Sequence, residues 1–418
     1  MSELRKAAAI KLIRNLPRPV WMLILVASLG YFVDIYDLLL FSIIRVKSLE
    51  SLHVPSDQLT SVGIFLINWQ MAGLLLGGIL WGLLGDKKGR LSVLFGSILL
   101  YSLANIANAF ADSVPFYAAL RFVAGIGLAG ELGAGVTLIT ESLPIELRGF
   151  GTALIASIGF IGAIFAGLIA DTFSWRVSYM IGGGLGLLIL LLRVGVTESG
   201  LFNKTRHTNA KLGDIGLLFR QPKMLIKYVS VILIGIPIWY VIGILMTFTP
   251  EFAKGFGMAE IPTAGKAVIC SYTGLAIGDM ASGFISHWLQ SRKLVLFGYL
   301  LFMAFGIAVF MIFAKHSLTT YYWICGLLGL GAGYWAMFVT VAAEQFGTNI
   351  RSTVTTTTPN VVRGMVIPLT LGFDFLSHQV GVVRSGCIVG GIVTFIAVCA
   401  LKGVEESYHK NLDYHELG

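Results

Sequence analysis

Several ionisable side chains lie well inside long apolar segments of this sequence, where bulk water cannot solvate them. Asp34 and Asp37 are three residues apart, so they would share one face of a helix. In the middle of a bilayer each charged side chain costs roughly 3 kcal/mol and therefore needs a partner or a water-filled cavity. Two neighbouring carboxylates also repel each other, which favours retention of a proton by one of them. The full set is Asp34, Asp37, Arg121, Glu131, Asp279 and Arg363.

One acid and one arginine of this set lie at comparable depth. Arg121 is five residues from the start of its apolar segment, and Asp37 is seven residues from the end of its own. Because a helix rises about 1.5 Å per residue, the two side chains can pair. An acid that alternates between protonation and this pair would couple proton movement to a conformational change. A permanent structural ion pair is the alternative, and Asp34 is either a helper acid or a solvated residue.

Arg363 is the residue whose position most clearly requires an anion. It is twelve residues beyond Arg351, hence roughly 18 Å along a helix and close to the middle of a bilayer. A guanidinium binds a carboxylate or phosphate in bidentate fashion, so we predict that Arg363 recognises an anionic ligand. The alternative is an internal ion pair with Asp279 or Glu131.

Polar and aromatic side chains of other apolar segments could line the same cavity. Asn68 and Gln70 are the best candidates, because two amides within an apolar helix are costly without partners. Glu131 is a second candidate proton site, a ligand contact, or only an acceptor for a neighbouring helix. Together with Arg363, the predicted ligand contacts are Tyr36, Asn68, Gln70, Trp239, Tyr240, Asn360 and Asp279, and Tyr272, Tyr334 and Trp335 are further candidates.

The elements that must position these residues are membrane-spanning helices. The chain has 418 residues, of which 56% are hydrophobic and only 12% charged, outside the range of soluble globular proteins. A helix needs roughly 20 apolar residues to cross the hydrocarbon core, and about twelve such runs can be marked. We predict spans at residues 20–44, 60–84, 91–110, 116–140, 150–171, 177–196, 226–249, 265–288, 294–314, 321–343, 353–376 and 384–401.

Basic residues indicate the orientation of these spans. With an even number of spans both chain ends share one side, and that side collects about twenty of the Lys and Arg residues. The positive-inside rule therefore predicts cytoplasmic termini in a bacterial inner membrane. The basic residues form no continuous stripe, so we expect no nucleic-acid partner. We further expect a monomer in the lipid bilayer, with no cofactor and no metal site, since the four cysteines lack motif spacing.

The chain divides into two related halves. The longest polar connection follows the sixth predicted span, and motifs recur on either side of it. Glu141 and Arg148 are seven residues apart after span four, and Glu344 and Arg351 are seven apart after span ten. The predicted organisation is a cytoplasmic segment at 1–19, a six-helix bundle at 20–196, a cytoplasmic linker at 197–225, a second bundle at 226–401 and a cytoplasmic tail at 402–418.

The loop between spans two and three reads Gly82-Leu-Leu-Gly-Asp-Lys-Lys-Gly-Arg90. It resembles the major facilitator superfamily signature G-x-L-[GA]-D-[RK]-x-G-R. Asp34-Ile-Tyr-Asp-Leu38 is similar to the E-W-Y-D-F pattern of the metabolite:proton symporters and sugar porters in that superfamily. The stretch from Arg121 to Glu131 resembles their R-F-x-x-G-[IL]-G-x-G-G-E, and the tail from Glu406 to Glu416 resembles their E-T-x-x-x-x-L-D-x-x-E ending.

The resemblance implies an all-α integral membrane protein of the major facilitator fold, with about 12 transmembrane helices in two six-helix bundles. Spans 1, 4, 7 and 10 would line a central cavity, and spans 3, 6, 9 and 12 would face lipid. The expected function is proton-coupled uptake of an organic anion or zwitterion by alternating access; the alternatives are export of organic cations in exchange for protons, and a membrane sensor without transport. The predicted gating residues are Gly82, Asp86, Lys87, Gly89, Arg90, Glu141, Arg148, Glu344 and Arg351.

Overall fold

The computed structural model describes residues 17–88, 90–135, 143, 145–192, 216, 220–346 and 348–408. These residues form helices, and no β-strand occurs among them. Eleven helices of this part are long and apolar enough to cross a membrane, which confirms the predicted all-α membrane fold. A further segment, divided at Met365, is counted here as span 11. The spans are Arg18–Ser51 (1), Leu59–Lys88 (2), Arg90–Asn108 (3), Val114–Leu128 with residues 131–135 (4), Ile145–Thr172 (5), Trp175–Leu192 (6), Pro222–Tyr240 with the π-helix Val241–Met246 (7), Ala264–Leu289 (8), Arg292–Phe313 (9), Leu318–Ala332 with Trp335–Glu344 (10), Thr348–Gly364 with Val366–Val380 (11) and Val382–Ala400 (12); the short helix Thr249–Gly255 follows span 7.

Local sequence signals fix where several spans begin. Spans 1, 4 and 7 have a proline in the first turn, where the missing N–H group would have no helical partner in any case. Ser291 and Ser317 begin spans 9 and 10 by accepting hydrogen bonds from the N–H groups of Leu294 and Thr320. These caps satisfy backbone groups that would otherwise be exposed at the membrane boundary.

Span 1 is longer than its apolar run predicted. The helix continues to Ser51, so Arg45, expected in a loop, is a helical residue with 1% of its surface exposed. Its guanidinium pairs with Glu251 and donates to the carbonyl oxygens of Leu59 and Thr247. The predicted end of span 1 at residue 44 was wrong, because these partners compensate the charge of Arg45 and the helix continues beyond the apolar run.

Both halves of the chain use the same packing arrangement. In spans 1–6 the first span packs against the fifth and sixth, the second against the fourth, and the third against the fourth and sixth. Spans 7–12 repeat every one of these pairs. The halves contact each other mainly through spans 2 and 11 and through spans 5 and 8. Below, the terminal face is the membrane side where span 1 begins and span 12 ends, and the opposite face is the side where span 1 ends.

Large apolar side chains cover the surface that faces away from the interface between the halves. Leu103, Leu191, Phe305 and Phe395 are more than half exposed, and they belong to spans 3, 6, 9 and 12 in that order. Such a surface suits hydrocarbon and would be unfavourable in water. The lipid-facing position expected for these four spans agrees with it.

Candidate functional site

A small cavity lies between the two halves and is almost entirely aromatic and aliphatic. Among the described residues that line it, Arg363 is the one with a charge, and the aromatic rings around it come from five different spans. The π-helix of span 7 widens the helix where it borders this cavity, an irregularity that is common at functional sites. The lining residues are Tyr31, Ile35, Phe160, Ile238, Trp239, Ile242, Tyr272, Leu275, Trp335 and Arg363.

Arg363 pairs loosely with Asp34, across the interface between the halves. Its Nη2 atom lies 3.7 Å from Oδ2 of Asp34, and both side chains are at most 1% exposed. Neither carboxylate oxygen of Asp34 has a hydrogen-bond partner among the described residues, and Nε and Nη2 of Arg363 also lack one. Two buried ions at this distance are poorly compensated, because a stable buried pair needs close geometry and further hydrogen bonds.

Two tryptophan rings flank the Arg363 guanidinium. Its Cζ atom lies 5.8 Å from the ring centre of Trp239 and 5.9 Å from that of Trp335. The two rings meet edge to face, with their centres 6.4 Å apart. Arg363 is therefore held by aromatic faces rather than by hydrogen bonds, which leaves its donors available to an anion.

Arg121 and Asp37 lie within the first half, behind the cavity wall. Arg121 donates from Nη2 to Oδ1 of Asn105, and its Cζ atom lies 4.8 Å from the ring centre of Tyr179. The side chain of Asn105 also lies beside Asp37, so this amide neighbours both the predicted acid and the predicted arginine. Asp34 and Asp37 thus have different partners: Arg363 for the first, and the Arg121 cluster for the second.

Space for Asp37 comes from a glycine of span 6. A Cβ atom on Gly182 would lie 2.4 Å from Oδ1 of Asp37. Neither Asn105 nor Gly182 was among the predicted site residues, because spans 3 and 6 were expected only to face lipid. Asn105 carried a usable signal, since a buried amide within an apolar span requires partners just as Asn68 does.

Most of the predicted ligand contacts lie in helix interfaces around the cavity. Among them, Arg363 and Trp239 line the cavity itself. Tyr36 donates to the carbonyl of Ser178, and Tyr240 donates to the carbonyl of Gly386, so each tyrosine ties the first span of its half to the last. Gln70 donates to the carbonyl of Leu38.

Two amides join the halves on either side of the cavity. Asn360 donates from Nδ2 to the carbonyl of Ala129, on the side of the terminal face. Asn68 accepts from the Thr370 hydroxyl at 2.7 Å, on the side of the opposite face. Both predicted ligand contacts therefore lie between spans that must separate if the cavity is to open.

Asp279 and Glu131 each lie beside a break in a membrane span. Asp279 accepts a hydrogen bond from the N–H group of Ala336 at 2.8 Å, at the beginning of the second part of span 10. Glu131 is buried at the residue where span 4 resumes after its interruption. The equivalent spans 4 and 10 thus each have an acid beside their break: Glu131 of span 4 itself, and Asp279 of span 8 beside span 10.

The gating residues are only partly within the described side chains. Glu344 pairs with Arg292 at 3.3 Å and accepts from the hydroxyl of Ser407, so its contacts stay within the second half. Gly82 has open space around it. The side chains of Asp86, Lys87, Arg90, Arg148 and Arg351, and the residues Gly89 and Glu141, lie outside the described residues.

Glu406 extends this cluster at the terminal face. It accepts hydrogen bonds from the Ser291 hydroxyl and from the backbone N–H of Arg292. Partial burial alone would raise the pKa of Glu406, but these hydrogen bonds hold it below its ordinary value. The chain after span 12 is therefore anchored by its ionised carboxylate to the beginning of span 9.

Arg45 and Glu251 form a contact between the halves that sequence reasoning missed. The pair lies near the opposite face, and the Arg45 guanidinium also lies 4.7 Å from the ring centre of Phe248. Its signal in the sequence was an arginine close to the end of a very long apolar run. Together with the contact between Asn68 and Thr370, this pair holds the two halves together between the cavity and the opposite face.

Comparisons with known proteins agree with this architecture. A family model described as the Major Facilitator Superfamily matches residues 20–367. The niacin transporter NiaP of Acinetobacter baylyi is 28% identical, over 81% of this chain and 84% of that protein. A cis,cis-muconate transport protein of the same organism is 25% identical, over 89% and 91%. The crystal structure of a D-xylose-proton symporter superimposes with a TM-score of 0.73 at 19% identity, over 94% of this chain and 100% of that one.

Proposed function

Because the chain belongs to the major facilitator superfamily and is a multi-pass membrane transporter, not an enzyme, we propose that it couples proton entry to the uptake of an organic anion by alternating access. The observation that carries this proposal is the loose, buried pair of Asp34 and Arg363 inside an aromatic cavity. An internal carboxylate there occupies the guanidinium that a substrate carboxylate would need.

Charge balance explains how a proton and an anion would enter together. In the empty site the ionised Asp34 neutralises Arg363. When a proton neutralises Asp34, Arg363 is left as an uncompensated buried cation, which is strongly unfavourable. A substrate carboxylate then restores neutrality and forms the hydrogen bonds that Asp34 does not make. One proton and one monocarboxylate would therefore cross together without net charge.

Other titratable groups surround this exchange. Glu131, Asp37, Tyr31 and Tyr272 are within electrostatic range of Asp34. Asp37 with Arg121 is the second proposed proton site, where Asn105 would keep Arg121 hydrogen-bonded in either protonation state. Protonation at Asp37 would then act on the packing of spans 1, 3 and 4, whereas protonation at Asp34 would act on substrate affinity.

The walls of the cavity favour a planar substrate. Trp239, Trp335, Tyr31, Tyr272 and Phe160 present aromatic surface around a single cation. Aromatic faces bind a flat unsaturated body well, and the guanidinium binds its carboxylate. Niacin and muconate, the substrates in the names of two relatives, are both unsaturated carboxylates. We therefore propose aromatic or conjugated carboxylates as the substrate class.

Uptake into proteoliposomes tests the proposal. We expect an inward proton gradient to drive accumulation of nicotinate or benzoate by the unaltered protein. Asp34→Asn should bind these anions with little dependence on pH, since Arg363 is then permanently available, and should lose gradient-driven accumulation. Asp374→Asn is the matched control, because Asp374 pairs with His378 away from the cavity.

Three outcomes would contradict the proposal. Accumulation that is indifferent to the proton gradient would exclude proton coupling. Proton-driven export of organic cations instead of anion uptake would support the antiport alternative, which the position of Arg363 in the cavity wall disfavours. A protein that binds the anions but moves none of them would be a sensor.

We also propose that the protein is a monomer in a bacterial inner membrane with cytoplasmic termini and cytoplasmic linker 197–225. The excess of basic residues on that side supports the orientation. Fusion of alkaline phosphatase to the chain end should give an inactive reporter, because this enzyme requires the periplasm. An active fusion would place the terminal face outside.

A further inference from the structure

Span 10 is interrupted where it passes span 8. Its first part ends at Ala332, its second part begins at Trp335, and Gly333 lies between them. A Cβ atom on Gly333 would lie 2.5 Å from Cα of Gly278 and 2.6 Å from the backbone nitrogen of Asp279. The backbones of the two spans are therefore in direct contact at the break, as small residues allow in membrane helices.

The break leaves the first N–H groups of the second part without helical partners. Tyr334, which precedes that part, provides no side-chain cap, because its hydroxyl donates instead to the carbonyl of Ile234. Asp279 fills this role from the neighbouring span. Its Oδ1 atom accepts from the N–H of Ala336 at 2.8 Å, and the N–H of Trp335 lies beside the same carboxylate.

Trp335, the neighbour of the capped Ala336, forms part of the cavity wall. Its ring is 5% exposed and packs against Phe338, with ring centres 5.3 Å apart, and against Trp239. Because Trp335 is the first residue of the second part of span 10, the direction of its side chain depends on where that helix begins. The hydrogen bond from Ala336 to Asp279 fixes that beginning.

We propose that Asp279 is a positioning residue that sets the selectivity of the cavity for planar carboxylates by holding the Trp335 ring against the substrate. Asp279 neither contacts the substrate nor carries the coupled proton. This inference rests on the proposed function, namely that the cavity binds an organic anion at Arg363. It replaces the direct ligand contact that the sequence predicted for Asp279.

Two probes of similar size separate a planar wall from a general loss of structure. Benzoate and cyclohexanecarboxylate share a carboxylate on a six-membered ring, but only benzoate is flat. We would measure binding to the purified full chain. Asp279→Ala should lower the affinity for benzoate by about tenfold and the affinity for cyclohexanecarboxylate by less than about twofold, because an aromatic pair requires defined ring geometry. Asp279→Asn should restore benzoate affinity, since its Oδ1 atom still accepts from Ala336.

A double-mutant cycle identifies the residue through which Asp279 acts. Trp335→Leu should lower the affinity for benzoate but not for cyclohexanecarboxylate. Adding Asp279→Ala should lower the benzoate affinity little further, because the positioned ring is already absent. Trp323→Leu is the control: Trp323 belongs to the same span but is 77% exposed on the outer surface. Additive losses from Asp279→Ala and Trp335→Leu would overturn the proposal.

The remaining outcomes are also decisive. Equal weakening of both probes by Asp279→Ala would show a purely structural role. A further outcome is that the Asp279→Asn variant binds benzoate with normal affinity while benzoate uptake no longer follows the proton gradient. In that case Asp279 would be a proton site and the proposal would be wrong. Failure of the unaltered protein to bind either probe would instead contradict the proposed function, so the two failures can be told apart.

Discussion

The two halves of this transporter share their packing but differ in the chemistry that they bring to the cavity. The motif acids Glu141 and Glu344 are 203 residues apart (344 − 141), and so are Phe160 and Arg363 (363 − 160). Phe160 and Arg363 both line the cavity, from spans 5 and 11. Equivalent positions of one scaffold thus hold an apolar ring in the first half and a cation in the second. The repeat supplies the architecture, and single residue types at repeated positions supply the function.

The interrupted helices show a second difference. Spans 4 and 10 break at Gly130 and Gly333, which are also 203 residues apart (333 − 130). In span 10 the exposed N–H groups are satisfied by Asp279 of the same half. In span 4 the carbonyl of Ala129 is satisfied by Asn360 of the other half. The first arrangement survives when the halves separate, whereas the second must break.

The largest effect on substrate affinity is expected at the two equivalent cavity positions, Phe160 and Arg363. Arg363→Leu should lower the affinity for benzoate by about 100-fold, because a charged hydrogen-bond donor is lost. Phe160→Leu should lower it by about tenfold at most, since apolar contact is partly kept. Isothermal titration of both variants measures this ratio. Similar losses in the two variants would mean that the halves contribute equally to the anion site.

A smaller effect is expected at the charged contact between the halves near the opposite face. Arg45→Leu should destabilise the closed arrangement by about 2 kcal/mol, less than for a fully buried pair because Glu251 keeps some exposure. Spin labels on Ser61→Cys and Lys254→Cys, in a background without native cysteines, should then report a longer distance. Lys47→Leu is the control, since Lys47 donates to Ala170 within its own half; an equal change there would rule out the Arg45 contact as a latch.

Substitution of the two amides between the halves should change the label distance in opposite directions. Each substitution should change the stability of the closed arrangement by about 1 kcal/mol, the value of a neutral hydrogen bond. Asn68→Leu should lengthen the same label distance, because its contact with Thr370 is on the side of the opposite face. Asn360→Leu should shorten it or leave it unchanged, because its contact with Ala129 is on the other side of the cavity. Lengthening in both variants would contradict this assignment of sides.

How far sequence reasoning reached depends on the kind of signal that each residue carries. Arg363 could be predicted as a cavity residue because an arginine near the middle of a membrane span requires a partner or an anion. Phe160 could not, since nothing distinguishes it from the other phenylalanines until the halves pack together. The role of Asp279 depends on a break in another helix, and Gly333 shows no sign of that break in the sequence. The helical membrane fold itself follows from composition and run length alone.

The smallest effect concerns the anchored chain after span 12. Because hydrogen bonds lower the pKa of Glu406 in the folded protein, its ionised form stabilises the fold above the ordinary glutamate pKa, and this contribution disappears as pH falls through the lowered value. Glu406→Gln should therefore lower the melting temperature slightly at pH 7, and the difference from the unaltered protein should vanish in acid. A difference that grows on acidification would contradict the sign. The sequence repeats Glu-Ser at residues 198–199, so Glu198→Gln tests whether the first half has the same pH-dependent anchor or whether the halves differ here too.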